Sequence, residues 1–168
     1  YKRQVYSSNV LEHVTCLPEI MAEFRRVLSA DGYCIHVLPS PSWRLWTFVS
    51  SFPALLFALP RFTFDFFSSR VYASRSAALS ALFKSWTAAF LFLGHGVSFF
   101  GLAELWSFSV SSWRRRFLNL GFSCVSIRPL PLFHTGYMLL GSHLSLPSRR
   151  LLAHVLGCAA NVYVVRPL

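Results

Sequence analysis

The strongest constraint on this chain is the apolar stripe Leu17, Ile20, Met21, Phe24, Val27 and Leu28, which repeats at three- and four-residue steps. That spacing puts the side chains on one side of a helix. Thr15 is placed to cap its start, and Pro18 is tolerated in the first turn. Asp31-Gly32 offers a stop with a residue able to take positive φ. Short runs flank the helix: residues 4–8 before it, and Tyr33-Cys34-Ile35-His36-Val37-Leu38, closed by Pro39, after it. A strand, a helix and a strand joined by short turns make a βαβ unit. Its two strands are expected to pair in parallel through a right-handed crossover.

The C-terminal part repeats this style. Ser112 to Leu120 reads as a helix with Trp113, Phe117 and Leu120 on one side and Arg114 to Arg116 on the other, stopped by Gly121. Phe122 to Ile127 follows as a strand closed by Pro129, residues 148–157 as a short helix, and Asn161 to Val165 as the last strand. Between Pro39 and Ser109 the chain is rich in Phe, Leu and Ala. Trp43 to Leu59 and Ser76 to Leu93 are expected to be helical, separated by Pro53, Pro60 and the Ser68-Ser69-Arg70 region. Arg44, Ser50, Ser51 and Pro53 interrupt the first, and Lys84 and Trp86 the second. Neither offers the roughly 20 continuous apolar residues of a membrane span. The expected organisation is therefore a βαβ part over residues 1–39, a hydrophobic and mainly helical insertion over 40–108, and a second α/β part over 109–168.

Hydrophobic residues make up 54% of the 168 and charged ones 13%, which excludes a disordered chain. The four basic residues of positions 1–31 are cancelled by four acidic ones, so the whole +10 net charge falls on residues 32–168, where only Asp65 and Glu104 are acidic. Such an excess favours an anionic surface. Apart from Arg114-Arg115-Arg116 and Arg149-Arg150, the basic residues stand singly among apolar ones, which suits a membrane interface better than nucleic acid. Cys16, Cys34, Cys124 and Cys158 match no metal-ligand spacing and are expected to be reduced core thiols, so no metal site is expected. No basic-then-apolar leader is read in the residues given. A cytoplasmic setting, peripheral at the membrane, is the expectation.

Five stretches together resemble the class I S-adenosylmethionine-dependent methyltransferases, particularly the large family of small-molecule methyltransferases. Val5-Tyr6-Ser7-Ser8-Asn9-Val10-Leu11-Glu12-His13-Val14 is similar to that family's strand four and following loop. Leu17 through Leu28, with Ala30-Asp31-Gly32, is similar to its next helix, and Ile35-His36-Val37-Leu38-Pro39 to strand five. Trp113 to Phe122 looks like the late helix entering strand six, and residues 161–165 like the final antiparallel strand. The resemblance implies an α/β fold: a partial Rossmann-like sheet of strands four to seven, the last antiparallel, carrying the hydrophobic helical insertion. The family's glycine-rich loop after strand one and acidic residue after strand two have no counterpart here, and Lys2-Arg3-Gln4 stands where an apolar or Asp-containing run is usual. This chain alone is accordingly expected to hold the cofactor weakly.

The resemblance places Ser7, Ser8, Asn9 and Glu12 at the cofactor, S-adenosylmethionine, and His13 on the pocket rim as a candidate general base. The same residues also suit a plain strand-to-helix turn. His95, between Gly94 and Gly96 and with Glu104 nine residues on, is a second candidate base, for which a surface turn is the plainer account. His134 and Tyr137 break an apolar stretch and are candidates to line the acceptor site, whereas His36 in a buried strand reads as a core imidazole. No Ser-His-Asp arrangement or phosphate loop is visible. The expected activity is methyl transfer to a small or lipid-like acceptor. The alternative is a non-catalytic membrane-associated protein with a structural methyltransferase remnant, and a basic RNA-associated module ranks below both.

Overall fold

A computed structural model of the chain describes residues 1–68, 75–90, 101–133 and 143–168, leaving His95, His134 and Tyr137 outside the described residues. It is a mixed α/β structure. Strand β1 (Lys2–Ser8) leads through one 3-10 turn (Leu11–His13) into α1 (Leu17–Val27) and β2 (Leu28–Pro39). Helices α2 (Pro41–Ser68), α3 (Arg75–Phe90) and α4 (Gly101–Ser107) follow. Then come α5 (Val110–Asn119), β3 (Phe122–Leu130), α6 (Leu146–Leu156) and β4 (Ala160–Pro167). The four strands form one sheet in the order β1-β2-β4-β3. β1 and β2 are parallel, and β4 is antiparallel to both its neighbours, β2 and β3.

The βαβ unit differs in detail from the sequence expectation. Cys16, not Thr15, occupies the N-cap of α1, with no side-chain cap hydrogen bond, and the helix ends at Val27 with Leu28 already extended. Gly32 lies inside β2 and has no positive φ; that conformation belongs to Gly121 and Gly157. What Gly32 supplies is room. Between the pairs Lys2↔Leu28 and Gln4↔Tyr33 the longer strand bulges, and a Cβ on Gly32 would stand 2.9 Å from both Leu28 Cδ2 and Ser29 O. At Gly121 the backbone has φ +76, ending α5 as expected, and the Arg25 guanidinium fills the space a side chain would need. Arg25 donates to the Gly121 carbonyl and lies over the Phe122 ring, pinning α1 to the turn before β3.

Strand alternation decides which side chains enter the core. Gly32, Cys34, His36 and Leu38 of β2 are buried, while the residues between them are only partly so. On that side α1 contributes Met21 and Phe24, α5 contributes Trp113 and Phe117, and β4 contributes Tyr163 and Val165. His36 sits at the centre. Its ring stacks between Phe24 and Phe117, with centroids 5.7 and 5.6 Å away, and its Nδ1 is 2.8 Å from Ser7 Oγ. Burial pushes its pKa down to about 4, so it is a neutral core imidazole. Of the cysteines, Cys34 is buried but Cys16 is exposed at the start of α1, against expectation. The other side of the sheet carries Tyr6, Ile35 and Val164 in one register row, and there Tyr6 and Val125 are 61% and 59% exposed.

Residues 40–108 contain α2, α3 and α4. α2 contains Pro53, as the expected helix over Trp43 to Leu59 did, and continues through Pro60, where a break was expected. Before Pro53 the hydroxyls of Thr47, Ser50 and Ser51 donate back to the carbonyls of Trp43, Thr47 and Phe48, a pattern that accommodates helix distortion. The first turns of α2 are anchored to the α/β part. Ser40 Oγ donates to the Cys158 carbonyl, and Trp46 Nε1 donates to the Leu156 carbonyl at 2.8 Å. Arg44 Nε lies 2.6 Å from Glu104 Oε2 with both side chains buried, which clamps α2 to α4. Among the described residues no helix is long and apolar enough to cross a membrane.

Two predictions follow from the burial of His36 and Arg44. His36 is neutral in the fold below the pH at which it charges in the unfolded chain, so stability is present above pH 6.5 and is lost as pH falls towards 4. The depression is worth about 3 kcal/mol, and urea unfolding should show that much less acid loss for His36→Phe than for the parent. For the buried pair, Arg44→Met alone strands the Glu104 charge and should cost about 3–5 kcal/mol. The double variant Arg44→Met/Glu104→Leu should return close to the parent stability, and equal losses in both would refute the clamp.

Candidate functional site

A cavity of about 620 Å³ opens where β1 and β2 end. Ser8 and Asn9 at the end of β1, Glu12 and His13 of the 3-10 turn, and Val37 and Pro39 of β2 form one wall. Leu130 at the end of β3, Leu132 and Phe133 just after it, Arg149 of α6, Ala160 of β4 and Trp43 of α2 form the other. The volume is that of a small-molecule site, and the place is the carboxyl edge of parallel strands, where α/β sheets gather ligands.

Alternation along β1 sorts its serines. Ser7 pairs with His36 in register and bonds its ring, so it faces the helical core and does not line the cavity. Ser8, one residue on, faces the cavity side. Asn9 then takes φ 51, a left-handed conformation that Asn tolerates better than most residues, while its N–H donates to the Val37 carbonyl at 2.9 Å. This reversal ends the strand and swings the next turn over the cavity. Of the sequence candidates, Ser8, Asn9, Glu12 and His13 are thus brought together, and Ser7 is not.

Glu12 is the unusual group. Its side chain is only 2% exposed, and its Oε2 has no hydrogen-bond partner among the described residues. Desolvation raises its pKa, opposed by its own backbone amide and by His13, whose Nε2 lies 3.9 Å from Oε1. The His13 side chain is 44% exposed at the rim. A buried acceptor that nothing satisfies is costly in a folded protein. Glu12 lines the cavity, but its Oε2 is itself buried.

Arg149, Trp43 and Phe133 complete the site without having been singled out in the sequence. Arg149 donates through Nε to the Leu144 carbonyl and through Nη1 to the Phe133 carbonyl, at 3.2 and 3.1 Å, which fixes the segment after β3 beside the cavity. Phe133 meets Trp46 edge-on at 5.8 Å. The readable signal was Ser145-Leu146-Pro147-Ser148: the Ser145 side chain caps α6 by accepting from the Ser148 N–H, and Pro147 sits in the first turn. That signature locates the start of α6, and Arg149 lies one turn in. Glu104, considered as an orienting partner for His95, is buried against Arg44. Among the described residues no group of three or more His, Cys, Asp or Glu is arranged to hold a metal.

No protein-family model matches the chain, and no curated protein matches it. Among solved structures, PKMT2 from Rickettsia typhi is similar at a TM-score of 0.43 and 10% identity. That similarity covers 98% of this chain and 35% of the other, so this chain spans about a third of the length of the protein it matches.

Proposed function

We propose that this chain is the C-terminal portion of an S-adenosylmethionine-dependent methyltransferase acting on a small or lipid-like acceptor. The observation that carries the reading is the cavity at the carboxyl ends of β1 and β2, with Ser8, Asn9, Glu12 and His13 on one wall. The direction of the last strand supports it. If β1, β2, β3 and β4 stand for strands four, five, six and seven of such a fold, the antiparallel β4 is what the resemblance implies of the last strand.

Methyl transfer from a sulfonium is an in-line displacement, and a protein accelerates it chiefly by alignment. On this reading the αL turn at Asn9 presents backbone groups and a short polar side chain beside the sulfonium end of the cofactor. Trp43, Leu130, Leu132 and Phe133 supply an apolar wall that excludes water and receives the body of the acceptor. The grip on the adenosine end belongs to the glycine-rich loop, which these residues do not contain. Titration of isotopically labelled protein with S-adenosylhomocysteine should shift the amide resonances of Ser8, Asn9, Glu12 and His13 and leave Val110 to Leu118 unmoved. No movement in the first set would sink the reading.

One observation favours the non-catalytic, membrane-associated alternative. The outer face of α6 leaves Leu151 and Val155 70% and 78% exposed beside exposed Arg150 and His154. Apolar and basic side chains interleaved on one helix face suit an anionic lipid surface. On that reading the protein should float with vesicles containing phosphatidylserine and not with neutral ones, and Leu151→Glu/Val155→Glu should abolish the effect.

A further inference from the structure

We infer that α6 seats the chain on an anionic lipid bilayer with the mouth of the cavity against it, so that a single-chain amphiphile passes from the bilayer into the cavity without crossing water. The inference rests on the lipid-like acceptor proposed for this cavity and adds the surface that supplies it. Of the lining residues, Ser8, Asn9 and His13 on one side and Leu146 on the other are exposed, whereas Trp43, Leu132 and Phe133 are not. A residue that lines a cavity and also faces outward marks its opening. The mouth therefore lies between the turn after β1 and the first residue of α6.

The outer face of α6 starts at that mouth. Leu146 and Arg150 stand four residues apart, as do Pro147, Leu151 and Val155, so they share the side of the helix that turns away from buried Ala153. Leu146, Leu151 and Val155 are 62%, 70% and 78% exposed there, with Arg150 and His154 exposed between them. Across the mouth Val10, next to Asn9, is 47% exposed. Apolar side chains thus stand on both sides of the opening.

Charge selects the occupant of this face. Residues 105–168 hold seven Arg and no Asp or Glu, and the Glu12 side chain in the cavity wall is only 2% exposed. A second copy of the chain would set basic faces against each other, whereas anionic headgroups neutralise them while the leucines and valines enter the acyl boundary. A hydrocarbon tail that crosses water exposes every methylene on the way. One that slides from the bilayer onto Trp43, Leu130, Leu132 and Phe133 does not. Arg149, one turn from Leu146, sets a positive charge near the mouth, so the head left there is anionic.

The test follows the route of entry. Pyrene-labelled decanoate is loaded into vesicles that contain a quenching lipid, and its fluorescence rises as it moves to the protein. Delivery by contact gives a transfer rate proportional to vesicle concentration. The rate should be about fivefold higher from vesicles with phosphatidylserine than from phosphatidylcholine alone, as one arginine at an anionic surface implies. Leu151→Glu/Val155→Glu, at positions that do not line the cavity, should abolish that gain and leave the affinity for the probe in vesicle-free buffer unchanged. Leu118→Glu, on the exposed side of α5 and also outside the cavity, should transfer at the parent rate. A rate independent of vesicle concentration, equal rates from the two vesicles, no uptake of the probe, or a loss caused by Leu118→Glu and not by the α6 pair overturns the inference. Circular dichroism checks the fold of the variants, and the parent rates decide the matter without them. Contact-dependent uptake with no response to S-adenosylhomocysteine keeps the route of entry and removes methyl transfer. A response to S-adenosylhomocysteine with uptake through water removes the route alone.

Discussion

The ring of His36, held between Phe24 of α1 and Phe117 of α5 and bonded to Ser7 of β1, joins four elements at one point. Everything else on the helical side of the sheet is arranged around it, from Met21 and Trp113 to Tyr163 and Val165. An imidazole there costs desolvation if charged, and the fold accepts only its neutral form. It also determines the function of the sheet edge. Because Ser7 is committed to His36, period-2 alternation turns Ser8 the other way, and the αL step at Asn9 carries Glu12 over the cavity.

Among the described residues the helical insertion is attached at its base by polar contacts and by the edge-on contact of Trp46 with Phe133. Trp46 and Ser40 bond carbonyls at the end of α6 and the approach to β4, and Arg44 meets Glu104 in a buried ion pair. Directional contacts of this kind specify where α2 leaves the sheet, which is also where Trp43 enters the cavity wall. Arg44, one of the interruptions that spoil α2 as a membrane span, is also the residue that fastens it to α4.

Much of this was legible in the chain. The stripe Leu17, Ile20, Met21 and Phe24 marked α1, and Gly121 marked the end of α5 in the conformation expected of it. The last strand was readable from its β-branched run, and the parallel pairing of β1 with β2 from the βαβ pattern. What failed was local. Gly32 looked like a helix stop because Asp-Gly usually is one; strand pairing from Leu28 onward overrode that preference and used the glycine for close approach instead. Pro60 looked like a break, yet it removes a single backbone donor, and α2 continues through it. Ser7 was grouped with Ser8 because they are adjacent, although alternation sends neighbours to opposite faces. Arg149 had no sequence signal towards the site, because its place is set by a bond to the Phe133 carbonyl 16 residues earlier.

The row Tyr6, Ile35 and Val164 has a thermodynamic consequence. Strands paired in parallel are normally covered on both sides, and here helices α1 and α5 cover one. Tyr6 on β1 and Val125 on β3, the two edge strands, stand largely in water on the other, and among the described residues β1 has no neighbour on its far side. Whatever packs on that side, whether further polypeptide, a second copy or a lipid, binds the folded sheet and not the unfolded chain. By mass action the folded population then depends on the concentration of that occupant. The melting temperature would then rise with the concentration of any such occupant.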